Sequence, residues 1–164
     1  MSVEFGWRLS PEGDRYEWRR LEAAPRRLEP ALRDQRLESL MGQEPWPTEL
    51  RLSEGGRVLN VSFDDGAQFA LSAELLRTQS PSAEVQGHSA AERKTIGGKR
   101  NVTIIAVAPV GNYAVRLDFD DLHRTGIYTW RYLRELGETA PERFSFYLEE
   151  LAAKGLDRDR PGEK

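Results

Sequence analysis

Two histidines and a short run of carboxylates are the residues of this chain best suited to chemistry. His123 closes the stretch Asp118-Phe119-Asp120-Asp121-Leu122-His123, and His88 follows Gln86-Gly87. Imidazole nitrogens and carboxylate oxygens suit Fe²⁺, Mn²⁺ or Zn²⁺, and a turn can converge several of them. A metal site on His123, Asp120, Asp121 and His88 is therefore one expectation. The plainer one is that the two aspartates only form a turn and the imidazoles do structural or surface work. There is no cysteine, which excludes disulfides and thiolate metal sites. No Gly-x-Ser-x-Gly elbow or P-loop occurs, nor the His-x-Asp pair that iron oxygenases need, so the chain reads as non-catalytic.

A second candidate is Gly97-Gly98-Lys99-Arg100, with Arg93 and Lys94 just before it. Backbone donors and basic side chains there could hold a phosphate or an acidic partner. The run lacks Walker spacing and a strand-to-helix context, so a glycine turn entering a strand at Val102 is the simpler expectation.

The elements that must position these residues can be read from hydrophobic period. Tyr113, Val115, Leu117 and Phe119 alternate with Ala114, Arg116 and Asp118, the pattern of a half-buried strand. Asp120 to Leu122 interrupts it, Gly126-Ile127-Tyr128 resumes it, and Thr129 can cap a helix that carries Trp130, Leu133 and Leu136 and stops at Gly137. Residues 57–77 repeat the unit. Val61-Ser62-Phe63-Asp64-Asp65 matches Leu117-Asp118-Phe119-Asp120-Asp121, and Ser72 stands where Thr129 stands. Thr48–Ser53 forms a hairpin with the strand at 57–63 around Glu54-Gly55-Gly56. Val102–Val107, the most apolar run, is expected at the centre of a sheet. Thr139-Ala140-Pro141-Glu142 has the form of a capping box opening a last helix, with Phe144, Tyr147, Leu148 and Leu151 as its core stripe. Tyr128 and Trp130 are expected in the core.

At 164 residues with 38% hydrophobic content, the chain can bury one core. Its net charge of -3, with both signs interspersed, gives no global field favouring nucleic acid or an anionic membrane. Without a signal peptide or a long apolar run, the expected compartment is the cytoplasm. Residues 1–44 are arginine-rich, lysine-free and thinly apolar, and are expected to be a flexible or loosely docked extension with an amphipathic helix over 28–40. Met41 is the expected physiological start. Residues 45–155 form the domain, and 156–164 a disordered tail. The fold class is α+β: small antiparallel hairpin sheets with about three short flanking helices in a single domain.

Several motifs occur in an order that points further. Leu71-Ser72-Ala73-Glu74-Leu75-Leu76-Arg77 is followed by Ser80 to His88, then Gly98-Lys99-Arg100, Pro109 to Val115, and Phe119-Asp120-Asp121 through Trp130. Together they resemble the gamma-butyrobetaine hydroxylase-like N-terminal domain family, over about residues 45–137. The resemblance implies a domain that occurs alone in bacteria, fused to iron-sulfur scaffold ATPases, or at the front of 2-oxoglutarate-dependent hydroxylases, where it carries a zinc site of three cysteines and one histidine. Aligned on Leu76-Arg77, those cysteines fall on Ser80, Ser82 and Val85 and the histidine on His123. Two hydroxyls and a valine do not replace thiolates, so the family zinc site is absent. If the Ser80 to His88 loop follows the family's cysteine loop, His88 could approach His123. Leu122 replaces the family's turn glycine and predicts a changed turn type or a loop lengthened toward Gly126. The expected function is a non-catalytic accessory module contacting a protein partner in iron-sulfur or metal-dependent metabolism. A metal-binding protein built on the His/Asp cluster is the alternative.

Overall fold

The structure, a computed structural model, describes residues 6–12, 15–21, 45–86 and 93–160, the first two ranges as backbone only. The described residues form an α+β domain with two antiparallel sheets and three α-helices. The first sheet has the order β2-β1-β3-β4-β5, from β1 (Gly6–Glu12), β2 (Arg15–Leu21), β3 (Pro47–Ser53), β4 (Val58–Phe63) and β5 (Gln68–Ser72). The second has the order β6-β7-β8, from β6 (Ile104–Val110), β7 (Ala114–Phe119) and β8 (Ile127–Thr129). Helices α1 (Ala73–Thr78) and α3 (Trp130–Ala153) each follow a hairpin, and α2 (Ala83–Gln86) is a single turn. Period-2 burial in β4 and β7 turns Leu59, Val61, Phe63, Val115, Leu117 and Phe119 inward. They meet Leu75 and Leu76 of α1 and Trp130, Leu133 and Leu136 of α3 in one core.

The internal repeat is a repeat of structure. Ser72 caps α1 by accepting a hydrogen bond from Leu75 N, and Thr129 caps α3 by accepting one from Tyr132 N. The Asp-Asp turns coincide bond for bond: Gly66 N donates to Phe63 O at 3.0 Å and Leu122 N to Phe119 O at 3.1 Å, while Phe63 N donates to Ala67 O and Phe119 N to His123 O. Ala67 N donates to Asp65 Oδ1 and His123 N to Asp121 Oδ1.

Three sequence expectations are corrected. The helix expected to stop at Gly137, and the box expected to start another at Thr139, lie inside one continuous 24-residue helix. Thr139 Oγ1 donates to Glu135 O instead of capping. Gly137 is there for packing, because a Cβ would lie 2.3 Å from Phe69 Cγ. The glycine also sits four residues before Pro141, whose missing N–H leaves the Gly137 carbonyl without its helical donor. Gly137→Ala is therefore expected to destabilise the protein by about 2 kcal/mol in chemical denaturation, although alanine is the better helix former by about 1 kcal/mol. Shortening Phe69 to Leu in the same chain should recover most of the loss, and an unchanged or raised midpoint for Gly137→Ala alone would refute the packing account.

The apolar run expected at a sheet centre is instead the edge strand β6, with Ile105 and Ala106 exposed and Pro109 in place. Proline has no N–H to donate to a ladder, which suits an edge. Residues 156–160, expected as disordered tail, are held against residues 97–100: Gly98 N donates to Asp157 O at 2.7 Å and Arg100 N to Arg158 O at 3.1 Å. In the N-terminal extension, β1 and β2 form a hairpin that registers on β3 through Gly6 to Arg8. The expected helix over 28–40 and the start at Met41 lie outside the described residues.

Candidate functional site

The turn at Asp120–His123 faces the loop that follows α1, and this is where the chain's chemically capable side chains gather. Ser80 Oγ and His123 Nε2 share a hydrogen bond of 2.8 Å. Ser82 Oγ lies 3.5 Å from the same nitrogen and accepts from Ser80 Oγ at 3.3 Å. Val85 completes the loop with no exposure, and Ser80, Ser82 and His123 are all buried. The pocket is tight. A Cβ on Gly126 would lie 2.5 Å from Ser80 Oγ and 2.9 Å from Tyr128 Cε2, so position 126 must be glycine for β8 to pass. Tyr128 OH donates to Leu76 O at 2.6 Å, and burial pushes its phenol well above the ordinary tyrosine value. A serine beside a histidine has the form of an activated nucleophile, but with both side chains sealed from solvent it works as a cross-link between loop and hairpin.

The two aspartates turn elsewhere. Asp120 accepts from Thr103 N and Thr103 Oγ1 at 3.1 and 3.0 Å and ties the turn to the residue before β6. Asp121 Oδ2 takes Arg77 Nε at 2.8 Å and Lys99 Nζ at 2.5 Å. Burial alone would raise the Asp121 carboxyl, but the Lys99 ammonium and the Arg77 guanidinium outweigh it and hold the group below its ordinary value. Asp118 pairs with Arg116 on its own strand at 2.8 Å. The structure thus does not bring His123, Asp120 and Asp121 together around one point, and His88 lies outside the described residues. Among the described residues no group of three or more His, Cys, Asp or Glu is placed to hold a metal ion. The family's zinc ligands fare differently. Their positions Ser80, Ser82 and His123 do converge, but two neutral hydroxyls and the methyls of Val85 offer no thiolate, so the residues present do not fit zinc.

The glycine run is not an open cradle. Gly98 N and Arg100 N are bonded to carbonyls of residues 157 and 158, Lys99 is on Asp121, and Arg100 pairs with Asp159 at 3.1 Å. Tyr128 and Trp130 are buried, as the hairpin-to-helix pattern implied, and Trp130 Nε1 donates to Asn112 O. Sequence alone missed the Arg77–Asp121–Lys99 cluster. The Leu-Arg ending of α1 and the Asp-Asp turn are far apart in the chain, and only the repeat, which places a helix end beside a turn, hinted at their meeting.

Leu122 is the unexpected residue. It holds the turn that Gly66 holds in the first repeat, with φ +69 against +86, and does so while 75% exposed. The turn's hydrogen bonds are unchanged, and of the two expected outcomes it is the loop that lengthens toward Gly126: Thr129 follows Leu122 by seven positions where Ser72 follows Gly66 by six, and β8 begins only at Ile127. A left-handed conformation costs an L-residue roughly 1–2 kcal/mol. Leu122→Gly is accordingly expected to raise stability by about 1 kcal/mol, seen as a higher denaturation midpoint. A lower midpoint would show that the leucine makes an internal contact worth more than the strain.

No helix among the described residues is long and apolar enough to cross a membrane. Comparison with curated proteins finds no match. Two proteins with NMR solution structures are similar: one is 39% identical, covering 74% of this chain and 95% of its own with a TM-score of 0.63. The other is 45% identical, covering 73% and 89% with a TM-score of 0.62. A crystal structure of a protein of unknown function of the DUF971 family from Acidithiobacillus ferrooxidans is 41% identical, covering 56% of this chain and 91% of its own with a TM-score of 0.47. Residues 50–134, just over half of the chain and spanning both hairpin-helix repeats as far as the first turns of α3, match the profile described as gamma-butyrobetaine hydroxylase-like, N-terminal. The chain belongs to the gamma-butyrobetaine hydroxylase-like N-terminal domain family.

Proposed function

We propose that this chain is a non-catalytic accessory module of the cytoplasm that docks onto a protein partner in iron-sulfur or metal-dependent metabolism. One observation carries the reading: Leu122, an apolar side chain 75% exposed on a backbone in the left-handed region. Both features cost free energy in the isolated chain, and the first repeat solves the same turn with glycine. Cover by something outside the fold would give a leucine there a use. Ile105 on β6 and Ile127 on β8 are further exposed apolar side chains of the same small sheet, with the Arg116–Asp118 ion pair on the strand between them. The partner chemistry is an apolar pocket that receives a leucine. Recurrence of the family domain as an appendage on unrelated catalytic machinery agrees with a docking role. The alternative, a metal protein using His123, Asp120, Asp121 and His88, has less support, because both carboxylates are already engaged.

The test uses Leu122→Gly. If the turn is an interface, the variant is more stable than the parent yet captures its partner from a native lysate at least tenfold less well, roughly the effect of losing one buried anchor. Photo-crosslinking from position 124 should yield a partner adduct in the parent and not in the variant. An equal yield of the same partner from both chains, or no stoichiometric partner from either, defeats the reading.

A further inference from the structure

The larger sheet ends in β2, and among the described residues no strand lies beyond it. An open edge is a template for another strand, which natural sheets blunt with proline, a bulge or lysines. β2 has none of these. Its sequence is Arg-Tyr-Glu-Trp-Arg-Arg-Leu, and all seven residues register with β1 without a shift, from Arg15 opposite Glu12 to Leu21 opposite Gly6. It does carry charge, one acid among three arginines, but in an order that accepts a second copy of itself.

Two copies of β2 paired antiparallel over their full length place a two-fold axis at Trp18. The opposed positions are then Glu17 with Arg19, Tyr16 with Arg20 and Arg15 with Leu21, each occurring twice, and no like charges meet. Slipping the register by two residues either way opposes Glu17 to Glu17 or Arg19 to Arg19. The hairpin's own register leaves a place for the acid: Arg19 stands opposite Arg8, and Arg8 opposite Glu49 of β3. A second copy's Glu17 beside Arg19 completes a row of acid, arginine, arginine, acid across four strands. In the neighbouring rows Trp18 registers with Leu9, Tyr16 with Pro11, and Arg20 with Trp7, which registers in turn with the core residue Leu50. Strand alternation thus puts Trp7, Leu9, Pro11, Tyr16 and Trp18 on one face of the hairpin. The pairing with β3 ends at Arg8, so most of that apolar face runs past it. We infer that β2 is a homodimer interface: two copies of this chain join their larger sheets edge to edge, antiparallel and centred on Trp18, which merges their two apolar hairpin faces. The inference goes beyond the Leu122 surface and stands without it.

Sedimentation velocity of the full chain should show a monomer–dimer equilibrium. Glu17→Arg should weaken it at least tenfold, because the two-fold axis makes the substitution count twice. Combining Glu17→Arg with Arg19→Glu should restore it to within about threefold, since the opposed charges are only exchanged. A mixture of parent and doubly exchanged chains should sort into homodimers, because a mixed pair opposes like charges at both positions. The chain has no cysteine, so Trp18→Cys alone should oxidise to a linked dimer. Arg15→Cys should not, since its two copies would stand about 20 Å apart. A parent chain that is still monomeric at millimolar concentration overturns the proposal. So does a dimer that Glu17→Arg leaves intact, a dimer that the double exchange fails to restore, or equal linkage from positions 15 and 18.

Discussion

A chain carrying Ser80→Cys, Ser82→Cys and Val85→Cys together is expected to bind one Zn²⁺ tightly and to be stabilised by it. Two of these side chains already reach His123 Nε2, at 2.8 and 3.5 Å, and the third is fully buried on the same loop. The substitutions supply three thiolates beside one imidazole, the donor set of a closed structural zinc site. At free zinc a thousand times Kd, the gain is about 4 kcal/mol. At a few degrees per kcal/mol for a domain of this size, that is a rise in Tm of roughly 10 °C, reversed by chelator. Affinity should fall with acidity, because the thiols and the imidazole must lose their protons before they coordinate. A triple variant that binds no zinc by elemental analysis would show that loop 80–86 and the second hairpin are not placed for coordination. The parent chain under the same conditions is the comparison that separates this engineered site from any use of His123 with Asp120, Asp121 and His88.

The second large effect is expected from Asp121→Asn. The substitution removes the one carboxylate that Arg77 and Lys99 share, while an amide oxygen can still accept from His123 N. Arg77 is the critical partner: its side chain is only 6% exposed, and its buried Nη1 has no hydrogen-bond partner among the described residues of the parent. Leaving a buried cation without its counter-charge costs about 3–5 kcal/mol, and the 20% exposure of Asp121 puts the expected loss near the lower end, about 3 kcal/mol. The pH dependence has a definite sign. The folded carboxyl titrates below its unfolded value, so its contribution is complete above about pH 4 and is lost as the pH falls through the folded value. The gap between parent and variant should therefore be constant at neutral pH and close under acid. A gap that persists unchanged in acid would mean that the carboxylate's charge is not what stabilises this corner.

What could be read in advance follows from the range over which each force acts. Alternation over 113–119, the paired Asp-Asp turns, and Ser72 and Thr129 as caps are local matters of backbone period and nearest hydrogen bonds. They led to the right hairpins, the right helix starts and the right family. The errors arose where a local signal met a distant partner. Gly137 carries the sequence mark of a helix end, yet its job is to make room for the Phe69 ring from another hairpin. The run at 102–107 has the composition of a central strand, but edge or centre depends on which strands arrive beside it. Apart from these errors, the metal expectation grouped His123 with Asp120 and Asp121 because they are neighbours in sequence, whereas in this turn the three side chains have separate hydrogen-bond partners. Once the chain is folded, each found its own partner: Ser80, Thr103, and the Arg77–Lys99 pair.

By itself, then, the sequence determined the hairpins of residues 48–72 and 113–129, the starts of α1 and α3, their repeat, the family and the missing thiolates, since residue type and short spacing suffice for these. The tertiary structure alone decided that Leu122 takes glycine's conformation in the open, that Glu74 is answered by Arg158, and that His123 is sealed against two serines. Such pairings depend on which segments pack together, and their strength comes from burial, which no local pattern of residues records.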